Sequence, residues 1–288
     1  MKRIVVTGKN GQLASELRII LKKEENFECF FLGRNEFPLE ETKILHDVLG
    51  MYQPDIIIHT AAYTAVDQAE EELDAVNTIN HLASEQIAEY CTLHNVKLIY
   101  ISTDYVFDGT SEVPLTENIK THPINAYGHS KHRGEIAVRH FAPRAIILRT
   151  SWVYSSFGNN FVKTMLHLME EKKKLQVVAD QWGLPTYARD LAQAISIILK
   201  ADKWMPGIYH YANRGEGITW FDFASAIRDI TKKEVQILPI TTEEFVRPAN
   251  RPKYSVLDSS KIQKTFNFEI PSWQKSLEEM LTLLKTTN

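Results

Sequence analysis

Residues 3–17 read RIVVTGKNGQLASEL. A β-branched run from Arg3 to Thr7 gives way at once to Gly8 and Gly11, and Leu13, Leu17, Ile20 and Leu21 then recur at helical spacing. The pattern G-x-x-G-x-x-A, with Ala14 in the third place, therefore falls where a strand becomes a helix. Glycines there permit a tight turn and let a pyrophosphate approach the backbone, while a small third residue lets helix and strand pack closely. The helix N-terminus offers free N–H groups and the positive end of its dipole to phosphate. The stretch predicts a dinucleotide-binding turn.

Working outward, short uninterrupted apolar strands recur at FECFFL (27–32), DIIIHT (55–60), KLIYIS (97–102) and AIILRT (145–150). Helical stretches near 11–23, 42–52, 70–94 and 126–141 separate them. That alternation implies a parallel sheet covered on both faces. The fold class is α/β: a Rossmann-like doubly wound parallel sheet, with ligands at the carboxyl ends of its strands. After residue 150 the alternation loosens, and prolines at 185, 206, 239, 248, 252 and 271 break the chain into short elements. The reading is a nucleotide-binding domain over 1–150 and a smaller C-terminal α/β substrate-binding domain over 151–288, with segments crossing between them. Helices are expected near 159–171, 187–200, 219–230 and 272–286, with a short strand at GIYHYA (207–212).

Composition narrows the classes. The chain has 288 residues, is 44% apolar and carries a net charge of −3, which leaves no basic footprint for nucleic acid. No apolar run reaches the length of a membrane span, and the first residues form a strand rather than a leader. Cys29 and Cys91, the two cysteines, lie far apart in apolar surroundings and read as reduced core residues of a cytoplasmic protein. The ten histidines show no metal-ligand spacing, so no metal site is expected.

Two features suggest chemistry. In NAYGHSK (125–131), Tyr127 and Lys131 stand four apart, so a helix stacks phenol and ammonium on one face. A free phenol titrates near 10, and a neighbouring positive charge lowers that value, so the pair could move a proton at a carbonyl or alcohol oxygen. At the end of the second strand, FECFFLGRNEF (27–37) places Gly33-Arg34 where an acidic residue would hold a ribose 2′-hydroxyl. Arginine suits a 2′-phosphate, which favours NADPH, with NADH as a second candidate; Glu36 weakens that preference.

Together with HTAAYTAVDQAE (59–70), ISTDYVFDG (101–109), LRTSWVY (148–154), NNFVKTML (159–166), DQWGLPT (180–186) and RPKYS (251–255), these segments resemble the extended short-chain dehydrogenase/reductase family. Within that family the chain is similar to the dTDP-4-dehydrorhamnose reductases over nearly its whole length. The resemblance implies reduction of the C4 ketone of dTDP-6-deoxy-L-lyxo-4-hexulose with NADPH. It makes Thr103, Tyr127 and Lys131 the catalytic set, with Tyr127 donating the proton, Lys131 holding the nicotinamide ribose and Thr103 hydrogen-bonding the substrate oxygen. Cofactor contacts fall on Gly8, Asn10, Gly11, Gln12, Leu13, Arg34, Ala61, Ala62 and Tyr63, and on Tyr127 and Lys131 themselves. Substrate contacts fall on Thr64, Val66, Asp104, Tyr105 and Trp152, with Asn160 and Arg251 placed for the nucleotide diphosphate. Some members dimerise around magnesium held by glutamates. Glu16 could match one of these, but TYARD (186–190) puts Arg189 where another ligand would stand, and a cation beside a divalent metal is unfavourable. A monomer or weak homodimer is therefore expected. Two rival readings share the fold: a nucleotide-sugar epimerase or dehydratase, and a non-catalytic NADP-binding regulatory subunit.

Overall fold

The computed structural model describes residues 1–287. In chain order the elements are β1 (Lys2–Thr7), α1 (Gln12–Leu21), β2 (Phe27–Leu32), α2 (Leu45–Tyr52), β3 (Ile56–His59), α3 (Leu73–Asn77), α4 (Ala83–Leu93), β4 (Lys97–Thr103), α5 (Ala126–Phe141) and β5 (Ile146–Thr150). There follow β6 (Val153–Tyr154), α6 (Phe161–Glu171), β7 (Lys174–Val178), β8 (Trp182–Gly183), β9 (Thr186–Tyr187) and α7 (Ala188–Lys200). The chain ends with β10 (Gly207–Tyr211), β11 (Ile218–Thr219), α8 (Trp220–Thr231), β12 (Gln236–Ile240), α9 (Ser260–Phe266) and α10 (Trp273–Thr287).

Six strands form the central sheet in the order β10-β5-β4-β3-β1-β2, all parallel. The uninterrupted apolar strands explain how both faces are covered, because successive residues point to opposite sides. Ile4, Val6, Ile56, Ile58 and Leu148 pack toward α1 and α7, whereas Val5, Ile57, Leu98 and Ile147 pack toward α2 and α4. The sixth strand comes from Gly207–Tyr211, and α7 lies along α1 through Leu191, Ala192, Ile195 and Ile198. The sheet is thus completed by residues well beyond 150. A third core gathers α6, α8 and α10 with the parallel pair β7 and β12.

The stretch at 70–94 is not one helix. Between α3 and α4 the backbone widens into a π-turn at Thr78–Leu82. Its Asn80, 1% exposed, accepts from the Tyr63 amide (2.8 Å) and donates to the Tyr63 carbonyl (3.1 Å) and the Ser130 hydroxyl (2.9 Å). The irregular turn exchanges a regular helical register for a side chain that ties the loop after β3 to α5.

Candidate active site

The strand order reverses between β1 and β3, and an open α/β sheet forms its ligand crevice at such a point. There the loops after β1, β3, β4 and β5 border a cleft of about 770 Å³. Gly8 adopts φ +78°, and a Cβ on it would stand 3.0 Å from the Ala61 Cα. Only glycine lets the first turn and the Ala61–Tyr63 loop approach this closely. Gly8, Asn10, Gly11, Gln12, Leu13, Arg34, Ala61, Ala62 and Tyr63 all line the cleft, as do Thr64, Val66, Thr103, Asp104, Tyr105, Tyr127, Lys131 and Trp152. A bare glycine turn at a helix N-terminus, walled by small residues, fits a dinucleotide pyrophosphate.

Helix α5 begins one residue before Tyr127, and its start is well anchored. Asn125 caps it, accepting from the Gly128 amide (2.7 Å), and Glu70 accepts from the Ala126 amide (2.9 Å). Both groups satisfy N–H donors that a helix N-terminus leaves unpaired, and Glu70 also brings negative charge to the positive dipole end. A Cβ on Gly128 would stand 2.2 Å from the Tyr105 carbonyl oxygen, so this glycine lets α5 press against the loop after β4. Tyr127 and Tyr105 meet edge to face at 5.7 Å.

The electrostatics differ from the sequence expectation. Burial pushes the Tyr127 phenol up to about 12, against the neighbouring Thr103 hydroxyl, which pulls it down. Burial likewise draws Lys131 down to about 7, with Glu135 opposing the shift. Desolvation therefore outweighs the acidification expected from the Lys131 neighbour, because each charged form loses water on entering the site. Lys131 is 2% exposed; its Nζ donates to the Ile101 carbonyl (2.8 Å) and sits 4.2 Å from the Tyr100 ring centroid. One turn beyond it, Glu135 is buried in an ion pair with Arg149 (2.6 and 2.9 Å) and accepts from the Ser102 hydroxyl (2.5 Å).

Thr103 donates to Asp104 Oδ1 (3.0 Å) and accepts from the Tyr105 amide (3.2 Å). Asp104 Oδ2 is buried without a hydrogen bond of good geometry, although the Ser255 hydroxyl lies near enough to draw the pKa down. Burial prevails and pushes this carboxyl up to about 6. Trp152 holds φ +46°, uncommon for a residue with a side chain. Its indole stacks on Trp220 with centroids 3.5 Å apart and an interplanar angle of 11°.

Two expected contacts lie off the cleft wall. Asn160 caps α6, accepting from the Lys163 amide (3.1 Å), and gives its amide N–H groups to Gln12 Oε1 (2.9 Å) and the Ser155 carbonyl (2.7 Å). Its polar atoms bind the turn to α6, and its neighbour Asn159 faces the cleft instead. Arg251 makes a two-pronged pair with Asp67 (2.9 Å each) and borders a second cavity of about 880 Å³, which shares Trp220 with the first. Glu16, 0% exposed, accepts from Arg189 Nε (2.9 Å) and the Ser155 hydroxyl (2.6 Å). Among residues the sequence reading passed over, Trp220 carried a readable signal: Thr219 and Asp222 form a capping box that fixes the start of α8 beside it. Glu135 and Asn80 carried none, since their partners Arg149, Ser102 and Tyr63 are distant in sequence.

A phenol, a threonine hydroxyl and a lysine gathered beside a dinucleotide turn define a nicotinamide-dependent dehydrogenase or reductase class. Over residues 1–286 the sequence matches the family described as RmlD substrate binding domain, and the chain belongs to that family. It is 40% identical over 281 residues to the spore coat polysaccharide biosynthesis protein SpsK of Bacillus subtilis, covering 98% of this chain and 97% of that protein. It is 38% identical to a dTDP-4-dehydrorhamnose reductase of Aggregatibacter actinomycetemcomitans, covering 97% of this chain and 98% of the relative. The crystal structure of the Bacillus anthracis dTDP-4-dehydrorhamnose reductase in complex with NADP superposes with a TM-score of 0.93 at 39% identity, over 98% of this chain and 99% of that one.

Proposed function

We propose that the protein is an NADPH-dependent dTDP-4-dehydrorhamnose reductase, converting dTDP-6-deoxy-L-lyxo-4-hexulose to dTDP-L-rhamnose for cell-surface polysaccharide. The observation that carries this reading is the meeting of Thr103, Tyr127 and Lys131 with the Gly8–Gly11 turn in one cleft. Bound NADPH supplies the hydride for the C4 carbonyl carbon. The carbonyl oxygen becomes an alkoxide, and the Tyr127 Oη–H bond breaks to protonate it. A phenol at about 12 stays protonated at neutral pH, the state a proton donor needs before the reaction. The Thr103 hydroxyl turns from Asp104 Oδ1 to donate to the same oxygen, stabilising the developing charge more than the ketone. Lys131 holds the ribose and faces the phenolate left behind, which water then reprotonates.

The two cavities that meet at Trp220 suit a substrate with two ends. The keto sugar lies by Trp152 and Asp104, and the nucleotide diphosphate reaches the second cavity, where Arg251 exchanges Asp67 for phosphate. The protein acts in the cytoplasm as a monomer or weak homodimer without nucleic acid; Arg189 pairs with the buried Glu16 carboxylate, and a cation there disfavours a bridging metal. Among the described residues no helix is long and apolar enough to cross a membrane. The test is incubation with the dTDP-keto sugar and NADPH, following absorbance and product together. One NADPH consumed per dTDP-rhamnose formed is the expected result. Sugar conversion without net NADPH loss would reveal an epimerase, and tight NADPH binding without turnover a regulatory subunit.

A further inference from the structure

The end of β2 is where such a fold chooses between a ribose 2′-hydroxyl and a 2′-phosphate. Arg34 is the evident candidate, yet its side chain is 82% exposed and its Nε lies 3.6 Å from Glu40. Another pair sits closer to the turn. Lys9, within the glycine loop, forms an ion pair with Glu36, whose other oxygen accepts from the Gly33 amide (3.0 Å). Both side chains lie directly over Gly33, where a Cβ would stand 2.9 Å from Lys9 Cε and 3.1 Å from Glu36 Oε2. The backbone of Lys9 is fixed on both sides: its amide donates to the Leu32 carbonyl (3.1 Å), and its carbonyl accepts from Arg18 (3.1 Å). Lys9, Gly33 and Arg34 all border the cleft. A cation on a fixed backbone, at the junction of the phosphate turn and the ribose strand, thus faces a carboxylate on a solvent-exposed loop.

We propose that Lys9 is the residue that recognises the 2′-phosphate, and that Glu36 is the counter-charge that sets how strongly NADPH is preferred to NADH. A 2′-phosphate brings nearly two negative charges, and Lys9 turns from Glu36 to meet it. With NADH the Lys9–Glu36 pair stays closed and the Glu36 carboxylate accepts the ribose hydroxyl, the role an acidic residue has at this place. One pair thereby serves both cofactors, and Arg34 adds only a screened surface charge.

The test is titration of protein fluorescence with NADPH and, separately, NADH, which needs no sugar substrate and stands whether or not the reductase reading does. Lys9→Gln should weaken NADPH about tenfold to a hundredfold, the worth of one charged hydrogen bond, and leave NADH within about threefold. Lys9→Arg should restore NADPH. Glu36→Gln should tighten NADPH several-fold and weaken NADH, and Arg34→Ala should change neither by more than about threefold. Raising salt should erode NADPH affinity in wild type and much less in Lys9→Gln. The proposal is overturned if Lys9→Gln weakens both cofactors equally, or if Arg34→Ala carries the NADPH loss.

Discussion

The floor of the cleft and its outer wall are assembled by different means. Thr103, Tyr127, Lys131 and Glu135 come from one strand end and one helix face, so a short piece of sequence fixes their spacing. The outer wall joins Trp152 after β5, Trp220 at the start of α8, and Arg251 held by Asp67, and nothing local sets their separations. The floor is also braced from below by a buried ion pair, whereas the wall depends on ring stacking and on a half-buried ion pair. Position along one helix suits proton transfer, which needs a fixed geometry. A wall drawn from several loops suits recognition of an extended substrate.

The difference can be broken experimentally, beginning at the floor. Tyr127→Phe removes the proton donor and should lower kcat about 10²- to 10⁴-fold. NADPH affinity measured by fluorescence should stay within about twofold, since the phenol is asked only to give a proton. Equal losses in both would make holding the cofactor, not proton donation, the main role of Tyr127 and erase the distinction.

Of that floor, Thr103, Tyr127 and Lys131 were the legible part, and Glu135 was not. The glycine turn, the strand alternation and the four-residue Tyr127–Lys131 spacing are local patterns, and the elements appear within a few residues of where those patterns put them. The electrostatics were not legible, because desolvation depends on what the sheet buries: Tyr127 rises where a neighbouring ammonium alone would lower it. For Asn160 and Arg251 the motifs suggest ligand contact but do not show the intramolecular partners that hold them, Gln12 and Asp67, which lie 148 and 184 residues away. Such pairings exist only once the chain has folded. The π-turn at Thr78–Leu82 escaped for the same reason, since its Asn80 answers to Tyr63 and Ser130 rather than to its own helix.

The brace beneath the floor gives the next largest effect. Glu135→Ala strands Arg149, only 4% exposed, without its carboxylate. Chemical denaturation should show a loss of about 3–5 kcal/mol, the usual outcome of breaking a buried pair from one side. A loss under about 1 kcal/mol, the worth of an exposed pair, would mean that the brace is not rigid.

Asp104 offers a pH test at the boundary between floor and wall. Its carboxyl titrates at about 6 in the fold against 3.8 for the free group. Between those values the folded state keeps a proton that the unfolded chain has released, so stability falls as pH rises through this window. Asp104→Asn should flatten that slope, gaining on the order of 1–3 kcal/mol relative to wild type by pH 6. Parallel stability curves for the two proteins would show that Asp104 is not desolvated.

The wall should give the smallest effect. Trp220→Phe breaks the 3.5 Å indole stack, worth about 0.5–1.5 kcal/mol. KM for the keto sugar should rise roughly twofold to tenfold with kcat unchanged, and the ultraviolet circular dichroism of the coupled indoles should disappear. A fall in kcat with KM constant would place Trp220 in the chemistry and not in recognition.

The most direct test of the proton-donor assignment is a crystal structure of the complex with NADP⁺ and dTDP-L-rhamnose. The C4 hydroxyl of the sugar should lie about 2.6–3.2 Å from Tyr127 Oη, with Thr103 Oγ1 reaching the same oxygen. A phenol turned away from the sugar, or a C4 hydroxyl held by another acid with Tyr127 out of hydrogen-bond reach, would contradict the account.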